Sequence, residues 1–192
     1  RPAAFDAREK PAVNLTRRLA ADHRFAQEPI VLSGAGSIWY DLVAEVFSSS
    51  GLGKEVEIVL RPGCYLTHDV GSYREAQVRI LERNPVARRL QSGLIPALHV
   101  WAYVHSIPEA RKAIVGLGRR DAAFDSGLPR PALYFRPGER LPVPAPPHWT
   151  MTNIMDQHAY LEISEDDTLR PGDMIGFDIS HPCLTFDKWI VT

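Results

Sequence analysis

Two short glycine-containing segments carry groups that can bind an anion. The first, Gly34-Ala-Gly36-Ser37, follows the apolar run 29–33 and precedes the amphipathic stretch 38–47, which predicts a turn from a strand into a helix. Backbone N–H groups and the Ser37 hydroxyl at a helix N-terminus favour a phosphate, and Ser37 is predicted to be the N-cap of that helix. Small residues also allow a tight turn that binds nothing, so this segment alone leaves both interpretations open.

The second segment, Arg61-Pro62-Gly63-Cys64-Tyr65, follows the β-branched run 55–60. Gly63 has no Cβ to keep a ligand from the backbone, Tyr65 offers a hydroxyl, and Arg61 offers a cationic fork. The alternative is a plain Pro-Gly turn with an exposed arginine. Because the carboxyl ends of successive parallel strands meet at one face, we expect the two glycine segments to lie side by side and to form a phosphate site.

His181 and Cys183 stand two positions apart near the C-terminus. In an extended segment this spacing points both side chains to the same side, where imidazole and thiolate can ligate one ion. A soft sulfur with an imidazole favours zinc, and two protein ligands leave coordination positions open for catalysis. The alternative is a buried cysteine beside a half-exposed histidine.

Three further titratable residues are candidates. His158, in Asp156-Gln157-His158, is either a catalytic group or an ordinary surface histidine. Asp121 and Asp125 flank Ala122-Ala123-Phe124 and form a candidate carboxylate pair, unless Asp121 pairs locally with the neighbouring arginines.

The elements that must position these residues change type along the chain. Residues 1–92 predict alternating helix and strand: a helix over 11–25, a strand over 29–33, a helix over 38–47 and a strand over 55–60. This is a βαβ unit, which belongs to a parallel sheet or barrel.

Residues 93–192 predict an antiparallel β-domain instead. Pro/Gly turns separate short β-branched and aromatic runs, as in a sandwich or barrel. The segment 141–147 has four prolines in seven residues and predicts an extended connector. The predicted strands are 97–104, 112–117, 132–135, 150–154, 158–163, 174–179 and 188–191.

Composition excludes several classes of protein. The 192 residues are 45% hydrophobic and 23% charged with a net charge of -1, so no strong field favours nucleic acid or an anionic membrane. No apolar run approaches the roughly 18 residues of a membrane span, and no signal-peptide pattern opens the chain. Two cysteines cannot make a disulfide framework, which predicts a reducing, cytoplasmic location.

Taken together, the segments resemble the D-serine dehydratase-like branch of the alanine racemase fold, which includes D-amino acid deaminases and metal-dependent D-threonine aldolase. Four blocks in the same order carry the resemblance, and the last is the most specific. They are Leu32-Ser-Gly-Ala-Gly-Ser37, Val59-Leu-Arg-Pro-Gly-Cys-Tyr-Leu-Thr-His-Asp69, Phe124-Asp-Ser-Gly-Leu-Pro129, and Asp156-Gln-His158 with Ser180-His-Pro-Cys-Leu-Thr-Phe-Asp-Lys-Trp189.

The resemblance implies the C-terminal portion of a (β/α)8 barrel that binds pyridoxal phosphate (PLP), over 1–92, followed by an antiparallel β-domain with a metal site, over 93–192. His181 and Cys183 match the zinc pair of the dehydratases. The aldolases carry an aspartate where Cys183 stands, so the cysteine favours dehydration. The residues that match the cofactor-phosphate loops are Gly34, Gly36, Ser37, Gly63, Cys64 and Tyr65.

The implied activity is the conversion of a D-amino acid of the D-serine type to pyruvate and ammonia. PLP stabilises the α-carbanion, zinc assists departure of the β-hydroxyl, and His158 orients substrate or supports the metal. The resemblance also implies a homodimer. Two alternatives stay open: a D-threonine or 3-hydroxyaspartate aldolase, and a non-catalytic β-module that binds metal or phosphate.

The family's Schiff-base lysine lies in a basic segment at the end of the first barrel strand. None of the four lysines, which stand against eighteen arginines, lies in such a context. We therefore expect this chain to lack the lysine-bearing first half of the barrel. The four are Lys10, Lys54, Lys112 and Lys188.

Overall fold

The first two strands of the chain pair in parallel, as the βαβ pattern predicts. A computed structural model describes residues 3–26, 29–90 and 93–190. Strand β1 (Ile30–Gly34) pairs with β2 (Val56–Leu60), and helix α2 (Tyr40–Ser48) connects them. The remaining helices of this part are α1 (Ala3–Ala21), α3 (Ser72–Arg83) and α4 (Pro85–Leu90).

Helix α2 covers one face of the parallel pair. Leu32 of β1 shares a core with Leu42, Val43 and Phe47, which lie on the apolar face of α2. Residues of β1 alternate between buried and exposed, and Val31 is 56% exposed. The strand is therefore buried on one face only.

Seven strands of the described chain form one antiparallel sheet, which confirms the predicted β-domain. The order across the sheet is β6-β5-β9-β3-β4-β8-β7. The strands are β3 (His99–Glu109), β4 (Lys112–Val115), β5 (Arg130–Phe135), β6 (Val143–Pro144), β7 (Thr150–Ile154), β8 (Ala159–Glu162) and β9 (Met174–Asp178).

Strand β3 organises this sheet because it pairs along different parts of its length with two neighbours. Its first half pairs with β9, from His99 opposite Asp178 onward, and its second half pairs with β4. Register shifts after Val104 bend the strand, so the sheet curls around its buried face. That face carries a core that includes Val104, Val115, Leu161, Ile175 and Phe177.

One predicted strand of the C-terminal part is wrong. Residues 188–190 are not in a strand, because the preceding residues form a short helix, α5 (Pro182–Phe186), that ends in a turn; Val191 lies outside the described residues. The proline-rich connector 141–147 contributes the short edge strand β6. An edge position suits proline, which has no N–H to donate to a second neighbour.

The chain divides into two units, each with its own core. The first unit comprises residues 1–65 and 76–93, and the second comprises 66–75 and 94–192. Among the described residues, the helices are too short or too polar to cross a lipid bilayer.

Candidate functional site

In the first unit the two glycine segments lie side by side, as predicted. The Cys64 N–H donates to Ser37 Oγ over 3.4 Å, and Arg61 Nε donates to Ser33 Oγ over 2.7 Å. The Arg61 N–H also donates to the Gly34 carbonyl over 2.7 Å. These bonds join the ends of β1 and β2 into one surface.

The prediction that Ser37 caps α2 is wrong. The helix begins at Tyr40, its N-cap is Trp39, and the Trp39 side chain makes no capping hydrogen bond. Residues 37–39 form a turn before the helix, which leaves the Ser37 hydroxyl beside the second glycine segment rather than over the first helical turn.

The paired segments have the chemistry and the space that a phosphate needs. Gly36 has φ of 122°, which requires glycine, and a Cβ placed on Gly63 would meet nothing within 4 Å. Tyr65 is 45% exposed, whereas Cys64 is buried. Neither segment contains a carboxylate that would repel an anion. The residues therefore fit the phosphate group of PLP.

The charged residue in the first turn of α2 is neutralised within this unit. Asp41 accepts two hydrogen bonds from Arg83, at 2.9 Å from Nε and 2.8 Å from Nη2. The neighbouring Tyr40 hydroxyl donates to Gln77 Oε1 over 3.2 Å, and burial raises the pKa of Tyr40. Tyr40 also contacts the Tyr65 ring edge to face, with centroids 5.2 Å apart.

In the second unit, a loop over residues 118–129 binds the segment that carries His181 and Cys183. Asp125 Oδ2 lies 2.8 Å from His181 Nδ1. The hydrogen bond from His181 lowers the pKa of Asp125. Sequence spacing did not reveal this pair, because 56 positions separate its members. Asp125 does not form the predicted carboxylate pair with Asp121. Asp121 instead accepts a hydrogen bond from the Gly118 N–H over 2.7 Å.

Further hydrogen bonds fasten the 118–129 loop to the C-terminal segment. The Ala123 N–H donates to Thr185 Oγ1 over 3.1 Å, and Ser180 Oγ donates to the Gly127 carbonyl over 2.5 Å. Trp189 Nε1 donates to the Asp121 carbonyl over 2.7 Å. Two of the blocks that carried the resemblance, 124–129 and 180–189, are therefore in direct contact.

The local structure around Cys183 differs from the extended segment that the spacing argument assumed. His181 is the N-cap of α5, and Pro182 and Cys183 are its first residues. Cys183 is exposed. In the part of the chain that the structure describes, no three His, Cys, Asp or Glu side chains are grouped to hold a metal ion. A metal at His181 and Cys183 would have these two protein ligands, and the pair stays a prediction.

His158 lies in the turn between β7 and β8, directly before β8. Its Nε2 is 3.4 Å from Tyr160 Oη, and it lines a cavity of about 330 Å³ with Arg119, Asp156 and two further residues, Met155 and Gln157. The 118–129 loop packs tightly on this turn, since a Cβ on Gly118 would lie 2.2 Å from the Asp156 carbonyl oxygen. The role of His158 stays a prediction.

A third block contributes to the second unit through residues 66–71. Buried Asp69 accepts from the N–H groups of Gly71 and Tyr73, at 2.8 and 3.0 Å, where α3 begins. The Val70 N–H donates to the Ile179 carbonyl over 3.3 Å, two residues before His181. The sequence motif did not indicate this structural role for Asp69.

None of the four lysines lies at the carboxyl end of β1 or β2. Lys10 is in α1, Lys54 precedes β2, and Lys188 follows α5. Lys112, at the start of β4, donates to Glu109 Oε1 over 2.9 Å.

Comparisons with known proteins agree with the predicted resemblance. Residues 97–191 match the family model described as "Putative serine dehydratase domain". No curated protein matches the chain. Among solved structures, D-threonine aldolase from Filomicrobium marinum is similar, with a TM-score of 0.59 and 24% identity over 95% of this chain. The chain spans 41% of that protein's length. This likeness shows the fold, and it confirms the predicted fold class.

Proposed function

We propose that this chain carries the cofactor-phosphate loops and the metal-binding domain of a PLP- and zinc-dependent D-amino acid dehydratase. The match of residues 97–191 to a serine dehydratase domain carries the proposal, because His181, Cys183 and the 118–129 loop all lie within it. The substrate is a small D-amino acid with a β-hydroxyl, of the D-serine type, and the assembly is a homodimer.

The two glycine segments of the first unit hold the phosphate of the cofactor. Ser37 Oγ and Tyr65 Oη serve as hydroxyl donors, Arg61 supplies positive charge, and the space at Gly63 lets the phosphate reach the backbone. Gly36 keeps the first segment in a conformation that other residues rarely adopt. When bound, PLP supplies an electron sink for the electrons left by the substrate α-proton.

His181 and Cys183 hold the zinc ion, with Nε2 and Sγ as ligands. Zinc at this position supplies Lewis acidity, which makes the substrate β-hydroxyl a feasible leaving group. Both ligands are accessible from solvent, since the His181 side chain is 31% exposed and Cys183 is exposed. A zinc ion held by these two residues would therefore be accessible to a substrate hydroxyl.

His158 orients the substrate beside Arg119, whose guanidinium offers a partner for the substrate carboxylate in the cavity that both residues line. Overall, the substrate loses its α-proton and β-hydroxyl as water. The resulting aminoacrylate takes up water and releases ammonia, which leaves pyruvate. An aldolase would instead break the Cα–Cβ bond.

Product analysis of the full chain tests this proposal. The protein is supplied with PLP and Zn²⁺ and incubated with D-serine, with L-serine as the stereochemical control and Cys183→Ala as the control variant. The identity of the products is the readout.

We expect D-serine to give pyruvate and ammonia in equal amounts. L-serine should give neither product, and Cys183→Ala should reduce the yield from D-serine at least tenfold. Formation of glycine and acetaldehyde from D-threonine would indicate an aldolase instead of a dehydratase. Binding of PLP and zinc without either product above the protein-free level would favour the non-catalytic binding module.

A further inference from the structure

Asp125 contacts the predicted zinc ligand His181 on the side opposite to the atom that would bind a metal. Its Oδ2 lies 2.8 Å from His181 Nδ1. Both side chains remain accessible to solvent, at 48% for Asp125 and 31% for His181. A mutation can therefore remove this contact without disturbing the buried core.

The chemistry of this contact decides which imidazole nitrogen is available. An ionised carboxylate only accepts hydrogen bonds, so His181 Nδ1 must carry the ring proton when it faces Asp125. In neutral histidine the other nitrogen, Nε2, then keeps its lone pair. A metal-ligating histidine commonly donates its second ring N–H to a carboxylate in this way.

The backbone on both sides of the contact is held in place. Thr185 Oγ1 accepts from the Ala123 N–H and donates to the His181 carbonyl, each over 3.1 Å. On the other side of Asp125, the Gly127 carbonyl accepts from Ser180 Oγ. The loop and the His181 backbone are thus joined before and after the side-chain pair, which preorganises it.

We propose that Asp125 is a positioning residue, which fixes His181 in the tautomer and orientation whose Nε2 ligates zinc. The inference rests on the proposed zinc pair of His181 and Cys183. In this proposal the Phe124–Pro129 block determines, through Asp125, which nitrogen of His181 ligates the metal, although 56 positions separate the two residues.

Zinc affinity of the full chain tests this assignment, measured by competition with a chromophoric chelator. Asp125→Ala is expected to weaken zinc binding about 10- to 100-fold, the usual cost of losing such a partner. Asp125→Asn keeps an acceptor oxygen without the charge, so we expect it to lose less zinc affinity than Asp125→Ala. The matched control is Asp166→Ala, an exposed carboxylate of the same unit, which should bind zinc as the wild type does.

The tautomer of His181 in the metal-free chain gives a second readout, from its ¹⁵N chemical shifts. The wild type is expected to be predominantly protonated at Nδ1. Asp125→Ala should shift the population toward protonation at Nε2, since the acceptor is gone. Circular dichroism establishes that the variants fold, and a purely structural role for Asp125 would leave the tautomer unchanged.

The outcomes separate the inference from the function it rests on. If the wild type binds zinc through His181 and Cys183 but Asp125→Ala binds equally tightly, or keeps the Nδ1 proton, the inference is wrong and the zinc pair stands. If the wild type binds no zinc, or His181→Ala binds it as well as the wild type, both the zinc pair and the inference are wrong.

Discussion

At the scale of single residues, Gly34 and Gly63 are glycines for different reasons. A Cβ on Gly34 would lie 2.6 Å from Val43 Cγ1 and 3.0 Å from Phe47 Cε2, so the packing of α2 on β1 excludes a side chain there. Around Gly63 the corresponding space is open, and its φ is not in the left-handed region. The fold therefore requires Gly34, whereas the proposed ligand requires Gly63.

This difference predicts that one alanine substitution affects ligand binding and the other affects stability. Gly63→Ala should leave stability within about 0.5 kcal/mol of the wild type but weaken binding of pyridoxamine 5′-phosphate roughly tenfold, since the added methyl occupies the space of the phosphate. Gly34→Ala should destabilise the protein by about 1–3 kcal/mol through overpacking.

Thermal melts and fluorescence titration measure the two effects. Pyridoxamine without its phosphate is the control ligand and should bind weakly to both proteins. Equal affinity of the wild type and Gly63→Ala for the phosphorylated ligand would contradict the assignment of this segment to a phosphate.

At the scale of elements, a buried carboxylate joins the end of β5 to the start of β9. Asp173 accepts from Tyr134 Oη at 2.8 Å, from Arg136 Nε at 3.0 Å and from the Arg170 N–H at 2.9 Å. Burial and the bond to Asp173 raise the pKa of Tyr134 to about 12. Burial opposes ionisation of Asp173, but the hydrogen bonds from Arg136 and Tyr134 outweigh it and lower the pKa of Asp173.

These pKa shifts predict how stability depends on pH. The Tyr134 contribution is present below its ordinary pKa of about 10 and is lost as pH rises toward 12, a loss of about 1 kcal/mol after allowing for partial exposure. The Asp173 contribution is present above about pH 4 and is lost at lower pH, as the carboxylate takes up a proton. Urea unfolding across this range measures both.

The Tyr134→Phe variant tests whether Tyr134 causes the loss of stability at alkaline pH. It should lower stability at pH 7 by about 1 kcal/mol, through loss of one hydrogen bond, and it should flatten the decline between pH 10 and 12. A variant whose alkaline decline matches that of the wild type would show that another group causes it.

The sequence predicted most elements because their signals are local. An apolar run that ends at glycines predicted β1, and a β-branched run that ends at Pro-Gly predicted β2. Their parallel pairing followed from the intervening helix. Helix α5 was missed because the His-x-Cys spacing was interpreted as extended, although Pro182 at the first helical position was a usable signal. The cap of α2 was misplaced because Ser37 begins a turn over 37–39 and the helix starts only at Tyr40.

At the scale of the whole molecule, the candidate residues are distributed over two units with separate cores. The phosphate segments lie in the first unit, and His158, His181 and Cys183 lie in the second. The contact between Asp125 and His181 was not predictable, because contacts between loops depend on the packing of the sheet beneath them and leave no periodic pattern in the sequence.

Titration of the full chain with Co²⁺ in place of zinc tests the proposed metal pair of His181 and Cys183. The wild type is expected to bind one Co²⁺ per chain with an intense thiolate-to-cobalt charge-transfer band. Cys183→Ala should lose that band, and Cys64→Ala should keep it, since Cys64 is buried in the first unit. A wild type that binds Co²⁺ without the band, or a Cys183→Ala variant that retains it, would contradict the account.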